Sequence, residues 1–460
     1  MGGGAAPNEN TKTVIVLGAA YGGARAAQIL AAGLPEDWKV ILIDRNSHAN
    51  HVYVMPRFAV LPGHEYKAFI PYTNVFLVDP PKLKHIHLQA QVNSIRPTNI
   101  TISRSFPELG IPTTTIAFDY AIYALGAHLP PPLNLWGTTK DATDEVTGDT
   151  ALFTGSKIEA CEWFKEKQKI IEKAQTVLVV GGGALGIQFA TDIKSVYPTK
   201  KITLLHSRSR LLPRFDEKMH EEIEKSCVSL DIELILGERL DLDSIENGSA
   251  KINQLGKKVV RTVTGREIEA DLFLLCTGQA PNTGLLNTMD PATVNKDTGL
   301  ARVLRTLQLQ SLSEVTSASH LLMDALEKLS VSEDGVTRGS KEITSYPHIF
   351  AIGDAADAFG AIPAGHNAYA QGEVAARNII RLVKNKATES SSERADVAPE
   401  PLENYNPGPP AIKVSLGLKK AVYQMGPTID VKNDGVPDLQ AASIWPYFGI
   451  KVEKDEDMIP

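Results

Sequence analysis

The sequence predicts an α/β protein with two Rossmann-like nucleotide-binding domains and a small α+β module at its C-terminus. Three observations support this prediction: a length of 460 residues, a βαβ pattern that occurs twice, and a Ser/Glu/Pro-rich segment that sets the last 50 residues apart. Hydrophobic residues make up 43% and charged residues 22% of the chain, a composition typical of globular proteins that bury sizeable cores.

The repeated pattern consists of an apolar run, a glycine turn, a helical stretch and a second apolar run that ends at a polar residue. It occupies residues 13–44 and again residues 176–206. Short runs of Val, Ile and Leu are typical of buried parallel strands, and the apolar residues after each glycine turn recur at helical spacing. Each copy therefore predicts a βαβ unit of a nucleotide-binding domain.

Further elements connect and follow the two units. Residues 118–126 predict a strand that ends in a tight turn, and the prolines at 130–132 predict the start of an extended linker. Ser156 with Glu159 forms a capping-box pattern for a helix that runs to about Ala174. This helix leads directly into the second βαβ unit.

The second unit and the C-terminal part have their own signals. Residues 259–278 predict a hairpin around Thr264-Gly265 and a buried strand. Residues 349–359 predict a strand that meets a Gly-Asp turn, with a helix over Gln371–Val383. Residues 386–410 are rich in Ser, Glu and Pro, which favours a flexible surface segment.

Charge and cysteine content exclude several classes of function. The chain has 47 basic and 54 acidic residues, a net charge of −7 and a pI near 5.9, so nucleic acid is not an expected partner. Three cysteines, Cys161, Cys227 and Cys276, lie far apart in the sequence. They predict neither a disulfide framework nor a metal site, and they favour a reducing compartment.

The apolar stretches, such as Val14–Leu17, end well short of the roughly 18 residues that a membrane span needs. The N-terminus has neither the apolar core of a signal peptide nor the pattern of a transit peptide. Gly2 is the residue that myristoylation requires, but Ala6 stands where that motif has Ser or Thr. We expect a cytoplasmic location, with peripheral membrane contact as an open alternative.

The first βαβ unit carries a dinucleotide fingerprint. Gly18, Ala20 and Gly23 occupy the three positions of a GxGxxG pattern, and Asp44 ends the next strand. In such a turn the first position allows a tight bend, the second lets the backbone approach a pyrophosphate, and the third lets helix and strand touch. A carboxylate at the place of Asp44 accepts hydrogen bonds from the ribose hydroxyls.

The second βαβ unit has an unbroken fingerprint, Gly181, Gly183 and Gly186, but its second strand ends in His206 rather than in an acid. A carboxylate there would repel the 2′-phosphate of NADPH, whereas Arg208 and Arg210 could tolerate or attract it. We expect NADPH to be accepted alongside NADH. The alternative, that both arginines are merely solvated, remains open.

These features resemble the FAD-dependent pyridine nucleotide oxidoreductases. Within them, the chain is similar to the apoptosis-inducing-factor-like, ferroptosis-suppressor-protein-like group, which is related to type II NADH dehydrogenases. The resemblance rests on the two fingerprints and on residues 119–126, 189–207, 277–286 and 349–359. It covers residues 12–385, with a weaker similarity at 411–426.

The resemblance implies the two-dinucleotide-binding flavoprotein fold, with FAD and NAD(P)H as cofactors. The implied domains are the first part of an FAD-binding domain (11–145), an NAD(P)H-binding domain (146–277), the second part of the FAD-binding domain (278–385), the flexible segment (386–410) and the C-terminal module (411–460). The implied FAD-binding residues are Gly18, Ala20, Tyr21, Gly22, Gly23, Asp44, Arg45, Arg57, Val92, Ala124, Gly126, Gly353, Asp354 and Pro363. The implied NAD(P)H-binding residues are Gly181, Gly183, Ala184, Leu185, Gly186, His206, Arg208 and Gly278.

The implied reaction passes hydride from NAD(P)H to FAD and then electrons to a second acceptor, while the protein aligns the cofactors. Three positions depart from the group's pattern: Leu125 replaces a threonine, Gln188 a glutamate and Ala364 a lysine. These departures concern proton delivery rather than cofactor binding. Disulfide reductases of this fold need a close cysteine pair beside the flavin, and this chain has none.

The resemblance makes a quinone the first candidate acceptor, because type II NADH dehydrogenases and the ferroptosis suppressor reduce quinones. His366, Tyr369 and Gln371 could hydrogen-bond a quinone carbonyl, or they could serve helix packing or the surface. Two alternatives remain open: a flavin oxidoreductase acting on a specialised metabolite, and a redox-sensing interaction protein like apoptosis-inducing factor.

Aromatic residues near the C-terminus are candidates for membrane contact or for covering the flavin: Trp445, Tyr447 and Phe448. The acidic run at 453–457 argues against contact with an anionic leaflet. The sequence predicts no oligomeric state.

Overall fold

A computed structural model describes residues 11–77, 82, 84–128, 155–246, 249–254, 258–312, 344–389 and 398–459. Several sequence predictions lie outside these residues: the linker at 130–132, the N-terminal Gly2 and Ala6, the domain boundary after 145, and residues 390–397 of the 386–410 segment. None of the helices in the described ranges is long and apolar enough to cross a lipid bilayer.

The described helices are α1 (Tyr21–Gly33), α2 (Met55–Phe58), α3 (Lys157–Lys173), α4 (Ala184–Val196), α5 (Glu217–Ser229), α6 (Gly284–Met289) and α7 (Gly365–Glu389). The described strands are β1 (Lys12–Leu17), β2 (Trp38–Asp44), β3 (His48–Asn50), β4 (Phe69–Pro71), β5 (Ile86–Gln89), β6 (Val92–Ile95), β7 (Asn99–Ile102), β8 (Thr115–Ala117), β9 (Tyr120–Tyr123), β10 (Ala127–His128), β11 (Thr176–Val180), β12 (Lys201–His206), β13 (Ile232–Leu236), β14 (Ile245–Glu246), β15 (Ser249–Ile252), β16 (Lys258–Arg261), β17 (Glu267–Ala270), β18 (Leu272–Leu275), β19 (Ala280–Pro281), β20 (Gln308–Leu309), β21 (Tyr346–Ala351), β22 (Ala411–Leu416), β23 (Lys420–Met425) and β24 (Thr428–Lys432).

The chain forms two compact units. Unit 1 comprises Met1–Arg45, Val75–Ala127 and Pro281–Gly408, and unit 2 comprises Asn46–Asn74, His128–Ala280 and Pro409–Pro460. The chain therefore crosses between the units several times, and each unit is assembled from segments that are distant in sequence.

Unit 1 contains a six-stranded sheet with the order β20-β21-β9-β1-β2-β5. All neighbouring strands are parallel except β20, which runs antiparallel to β21 at one edge. Residues Val14–Leu17 of the central strand β1 have no solvent exposure, because strands flank it on both sides. A three-stranded antiparallel sheet, β6-β7-β8, completes the unit.

The helix predicted over Gln371–Val383 is longer in unit 1, where α7 spans Gly365–Glu389. Polar and glycine residues at its start hide the helical periodicity from a sequence reading. Residues 386–389 of the segment predicted to be flexible thus belong to this helix. Farther along that segment, Glu403 forms ion pairs with Arg377 at 2.8 Å and Arg381 at 3.2 Å.

Unit 2 contains a parallel sheet with the order β13-β12-β11-β18 and an antiparallel sheet with the order β14-β15-β16-β17. The predicted hairpin is confirmed, because β16 pairs antiparallel with β17 and Gly265 in the connecting turn has a φ of +89°. The predicted cap is confirmed as well: the Ser156 hydroxyl accepts a hydrogen bond from the Glu159 N–H, and α3 ends at Lys173.

The C-terminal module lies in unit 2 and forms an antiparallel sheet, β22-β23-β24, followed by 3-10 helices. Trp445 and Phe448 of the aromatic cluster are buried, and only Tyr447 is largely exposed, at 57%. The Trp445 indole N–H donates to the Lys67 carbonyl at 3.2 Å. Together, the sheets of the two units confirm the predicted α/β class with two Rossmann-like domains.

Candidate functional site

The glycine turn of unit 1 lies between β1 and α1, and its geometry requires glycine at two positions. Gly18 has a φ of +92°, and a Cβ there would lie 2.3 Å from the Ala124 carbonyl oxygen. A Cβ at Gly23 would lie 1.8 Å from the Gly18 carbonyl oxygen. Both contacts involve backbone that cannot move aside, so the first and third positions of the fingerprint have the roles that the sequence predicts.

The start of α1 is suited to binding an anion. Ala20 is the N-cap residue and makes no side-chain cap, and the first turn contains no acidic residue. The first N–H groups of a helix lack partners within the helix, and the helix dipole favours negative charge there. A pyrophosphate therefore fits this terminus, which includes Tyr21 and Gly22.

Asp44 ends β2 beside this turn, and its Oδ2 accepts a hydrogen bond from the Ala19 N–H at 2.8 Å. One carboxylate oxygen of Asp44, the residue predicted to bind the ribose, thus holds the turn. Arg45, the next residue, is exposed.

Helix α7 packs closely on α1 at two glycines, Gly22 and Gly372, and the predicted site residues did not include Gly372. A Cβ at Gly22 would lie 2.6 Å from the Ala368 carbonyl oxygen, and a Cβ at Gly372 would lie 2.3 Å from the Gly22 carbonyl oxygen. The two backbones therefore touch at this crossing. An isolated glycine in a helical pattern was the available signal, because it costs about 1 kcal/mol relative to alanine and usually has a packing reason.

The Gly-Asp turn follows β21, at the same edge of the six-stranded sheet as the turn after β1, because β1, β9 and β21 are parallel and in register. Gly353 has a φ of +72°, and its N–H donates to the Gln371 side-chain oxygen at 2.7 Å. Burial raises the pKa of the Asp354 carboxyl to about 6. A half-buried carboxylate with this environment is suited to accept hydrogen bonds from hydroxyl groups, such as those of the FAD ribityl chain.

Asn282 holds the loop after β9 through hydrogen bonds, and no sequence pattern predicts this role. Its side-chain amide donates to the Leu125 carbonyl at 2.8 Å, and its N–H donates to the Gly126 carbonyl at 2.9 Å. The Tyr123 hydroxyl donates to the Asn282 carbonyl at 2.5 Å. Asn282 thus fixes the segment that contains Ala124 and Gly126, two predicted FAD residues.

Three other predicted FAD residues belong to other segments of the chain. Val92 begins β6 in the antiparallel sheet of unit 1, and Pro363 is exposed just before α7. Arg57 lies in unit 2, where its side chain and that of Asp192 on α4 have no solvent exposure and form an ion pair at 2.8 Å. Its guanidinium also donates to the Pro437 and Gly417 carbonyls, at 2.9 and 2.7 Å.

The glycine turn of unit 2 repeats the geometry of the first. Gly181 has a φ of +117°, and a Cβ there would lie 2.2 Å from the Cys276 carbonyl oxygen. A Cβ at Gly186 would lie 1.9 Å from the Gly181 carbonyl oxygen, whereas a Cβ at Gly183 would meet no atom within 4 Å. The open space at the second fingerprint position is where a pyrophosphate approaches the backbone, so the turn fits NAD(P)H.

Other predicted NAD(P)H residues surround this turn. Ala184 and Leu185 form the partly exposed start of α4, and Gly278 is an exposed glycine with a φ of +126°. The His206 Nδ1 accepts a hydrogen bond from the Gly182 N–H at 3.0 Å. Arg208 is exposed.

Two further positions singled out in the sequence have partners in unit 2. Arg210 lies 3.9 Å from Glu217. Gln188 is buried, and its amide donates to the Ser415 hydroxyl at 3.1 Å, so it connects α4 with the C-terminal module. The side chain at the position of the expected glutamate is thus engaged in packing.

The three candidate acceptor residues lie in the first two turns of α7. His366 is exposed, whereas the Tyr369 ring is half-buried and lies 4.9 Å from the Arg25 guanidinium. Gln371 is buried and holds Gly353, as described above. Only His366 therefore presents an exposed side chain.

All three cysteines are buried and free. Burial raises the pKa of Cys161 to about 11 and that of Cys227 to about 12, and it raises the pKa of Cys276 still further above its ordinary value. A thiol with a raised pKa is a poor nucleophile at neutral pH. Within the described residues, no group of three or more His, Cys, Asp or Glu side chains is arranged to hold a metal ion.

Sequence comparison identifies the class to which these two dinucleotide turns belong. A family model described as pyridine nucleotide-disulphide oxidoreductase matches residues 12–306. The chain therefore belongs to the pyridine nucleotide-disulphide oxidoreductases, and the predicted resemblance is confirmed. Its cofactors are FAD and NAD(P)H, and the protein is an NAD(P)H-dependent flavin oxidoreductase.

Three relatives match at least nine-tenths of this chain. Fe-regulated protein 8 of Mycosarcoma maydis is 40% identical over 452 residues, covering 96% of each chain. Ferroptosis suppressor protein 1 of Taeniopygia guttata is 27% identical over 420 residues, covering 90% of this chain and 88% of the relative. Apoptosis-inducing factor homolog B of Dictyostelium discoideum is 24% identical over 430 residues, covering 91% and 90%.

Solved structures share the fold. The water-forming NADH oxidase of Lactobacillus brevis bound to NADH matches with a TM-score of 0.58 at 17% identity, over 90% of this chain and 74% of that one. Reduced Bacillus anthracis CoADR-RHD matches with a TM-score of 0.57 at 18% identity, over 90% of this chain and 61% of that one. At these identities the likeness concerns the fold alone.

Proposed function

We propose that the protein is an FAD-dependent NAD(P)H:quinone oxidoreductase. The observation that carries the proposal is the combination of two dinucleotide turns with three solitary, buried thiols. A chain that takes electrons from NAD(P)H but has no cysteine pair for a disulfide relay passes them to another acceptor. The resemblance to type II NADH dehydrogenases, which reduce quinones, makes a quinone the first candidate.

FAD, when bound, supplies the redox chemistry by taking two electrons from NAD(P)H and passing them on. The residues of this chain bind and orient the cofactors. The turn at Gly18 and the start of α1 hold one pyrophosphate, and the turn at Gly181 and the start of α4 hold the other. Asp354 would accept hydrogen bonds from hydroxyl groups of FAD, and Gln371 keeps the Gly353 turn in place.

On the acceptor side, the contacts within unit 1 favour His366 over its neighbours. Gln371 already uses its side-chain oxygen to hold Gly353, so it is a positioning residue. His366 is exposed at the start of α7 and can donate a hydrogen bond to a carbonyl oxygen. We therefore propose that His366 donates a hydrogen bond to the quinone and that Tyr369 and Gln371 shape the site.

On the donor side, we propose that NADPH is accepted alongside NADH. The strand end that carries an acid in unit 1 carries the uncharged His206 in unit 2, with an exposed arginine, Arg208, two residues later. This arrangement has no carboxylate to repel a 2′-phosphate.

The test is to purify the protein with its flavin and to follow NADH and NADPH consumption with a ubiquinone analogue, ferricyanide or oxygen as acceptor. We expect the quinone to be reduced much faster than oxygen. A long-lived charge-transfer state with negligible turnover would instead support a redox-sensing interaction protein. A flavin that NAD(P)H leaves oxidised but an organic substrate reduces would support a specialised-metabolite enzyme.

We further propose that the protein is cytoplasmic. If the quinone comes from a membrane, the protein contacts that membrane only peripherally. The burial of Trp445 and Phe448 leaves Tyr447 as the exposed aromatic residue of the C-terminal cluster. Flotation of the protein with neutral lipid vesicles, with and without Tyr447→Ser, tests this contact. Equal flotation of the two proteins would contradict a role for the cluster.

A further inference from the structure

Asp44 and His206 occupy the same place in their βαβ units, since Asp44 ends β2 and His206 ends β12. In both units, the last residue of the first strand pairs with the residue directly before this terminal side chain. The backbone N–H that follows the first fingerprint glycine donates to it in both cases: Ala19 to Asp44 Oδ2 at 2.8 Å, and Gly182 to His206 Nδ1 at 3.0 Å. The two units thus use the same hydrogen bond with different acceptors.

This hydrogen bond determines the protonation state of the histidine. Because Nδ1 accepts from the Gly182 N–H, it carries no proton, and the neutral ring has its proton on Nε2. Burial is the largest influence on the pKa of His206 and lowers it; the Arg210 backbone raises it, and Arg208 and His220 lower it further. The ring is therefore uncharged at neutral pH, whereas Asp44 provides its acceptor together with a negative charge.

The His206 residue is half-buried, and both ring nitrogens are occupied or shielded by protein. A Cβ at Gly182 would lie 2.6 Å from its Cγ and 2.5 Å from the Leu211 side chain, so ring and leucine together cover the turn. The Nε2 atom is shielded from solvent, and the Arg210 backbone interacts with the ring. The Leu212 N–H donates to the Gly182 carbonyl at 2.9 Å, which joins the turn to the loop at 207–212. Neither ring nitrogen is presented to a ligand.

We propose that His206 is a positioning residue of the NAD(P)H site: it holds the turn at 181–183 as an uncharged hydrogen-bond acceptor and leaves the adenosine ribose to the loop at 207–210. The inference rests on the proposed binding of NAD(P)H at this turn. It differs from the role implied by the family resemblance, in which the residue at this place contacts the cofactor. It also gives a reason for dual cofactor use that does not depend on Arg208.

The test compares three substitutions of His206 in the FAD-loaded protein, with NAD⁺ and NADP⁺ affinity measured by isothermal titration calorimetry. His206→Asn keeps an acceptor at the position of Nδ1, His206→Asp keeps an acceptor and adds a charge, and His206→Ala removes the acceptor. The melting temperature and the FAD content of each variant are measured alongside, so that loss of folding is distinguished from loss of binding.

We expect the asparagine variant to bind both dinucleotides within about threefold of the wild type, because the Gly182 N–H keeps its partner. The alanine variant should bind both at least about tenfold more weakly, since that N–H loses its acceptor. The aspartate variant should lose NADP⁺ affinity by about tenfold or more relative to NAD⁺, because the added charge repels the 2′-phosphate.

An asparagine variant that loses as much affinity as the alanine variant would show that the ring itself contacts the ligand, and this would overturn the inference. An aspartate variant that keeps the wild-type ratio of the two affinities would overturn the part that concerns charge. Wild-type protein that binds neither dinucleotide would instead overturn the proposed function, and the inference with it.

Discussion

The two glycine turns of this protein have the same backbone and different surroundings. Each has a first glycine in the left-handed region, whose Cβ would collide with a carbonyl of the neighbouring parallel strand's loop, and a third glycine pressed against the first. They differ in the side chain that accepts the turn's N–H group, Asp44 in unit 1 and His206 in unit 2. Backbone contacts therefore set the shape of the turn, whereas one side chain sets its charge.

The helices that follow the turns differ in how they are covered. In unit 1, α1 meets α7 where Gly22 and Gly372 bring two backbones into contact. In unit 2, α4 makes polar contacts with two other segments: Gln188 donates to the Ser415 hydroxyl of the C-terminal module, and Asp192 pairs with the buried Arg57 of α2. Glycines allow the close backbone contact of α1, whereas α4 takes part in a buried charge pair.

The largest effect is expected at the backbone contact of unit 1. Gly372→Val would place side-chain atoms against the Gly22 carbonyl, which a Cβ would already approach to 2.3 Å. Because both helices would have to separate, we expect a loss of about 4 kcal/mol or more in the free energy of unfolding, measured by urea denaturation. Gly183→Ala, where a Cβ meets open space, is the matched control and should unfold as the wild type does. Equal behaviour of the two variants would contradict the contact.

The next effect tests the charge pair of unit 2. Arg57→Met leaves Asp192 buried without its partner, and we expect it to destabilise the protein by about 3 to 5 kcal/mol. The double variant Arg57→Met with Asp192→Leu removes both charges and should recover much of that loss, since the desolvation cost disappears as well. Denaturation of the wild type, the single variants Arg57→Met and Asp192→Leu, and the double variant forms a thermodynamic cycle.

The double variant also distinguishes a packing role of Arg57 from a flavin contact. If Arg57 acts through α4 and the C-terminal module, the FAD content and flavin spectrum of the double variant should match the wild type. Loss of flavin from a double variant that remains folded would favour the flavin contact that the family resemblance implies.

Gly183→Val tests whether the two turns bind different dinucleotides. The structure has room for the side chain at this position, so folding should be unaffected, but the pyrophosphate approach would be blocked. We expect NAD(P)H reduction of the flavin to fall at least about 30-fold, a difference of roughly 2 kcal/mol, with FAD retained. Stopped-flow absorbance of the flavin measures the rate. Loss of FAD from this variant would contradict the assignment of the second turn to NAD(P)H.

The smallest effect concerns the charge at Asp354. Burial raises the pKa of this carboxyl from 3.8 to about 6. Between these two pH values the carboxyl is therefore protonated in the folded protein and ionised in the unfolded chain. The ionised group therefore destabilises the FAD-free protein above pH 6, and stability rises as the pH falls from 6 to 4. Asp354→Asn should stabilise the FAD-free protein by roughly 1 to 3 kcal/mol near pH 7.5 and remove that pH dependence.

Asp354→Asn should at the same time weaken FAD binding, because an amide oxygen is a poorer acceptor for hydroxyl groups than a carboxylate. Thermal denaturation of the FAD-free protein between about pH 4 and 8 and fluorescence titration with FAD measure the two quantities. A variant with unchanged stability and unchanged FAD affinity would contradict the role of this carboxyl.

Much of the fold was predictable because its signals are local. The two βαβ units, the cap at Ser156 and the hairpin around Thr264-Gly265 each depend on residues within about one element of each other. The contacts of Gly372, Asn282 and Arg57 were not predictable, since each joins segments more than 130 residues apart in the sequence. A glycine in a helix, an asparagine in a loop and a buried arginine leave no spacing pattern that identifies their partners.

The sequence by itself determined the two dinucleotide turns, because strand, glycine positions and helix follow one another within a short stretch and steric exclusion at the glycines acts on neighbouring backbone. Only the tertiary structure decided what surrounds them: which helix or sheet covers α1 and α4, and that His206 is half-buried with its Nδ1 accepting from the Gly182 N–H and its Nε2 shielded from solvent. The physical reason is that burial and hydrogen-bond partners depend on where distant segments pack, and these set whether a side chain at a strand end faces the ligand or the protein.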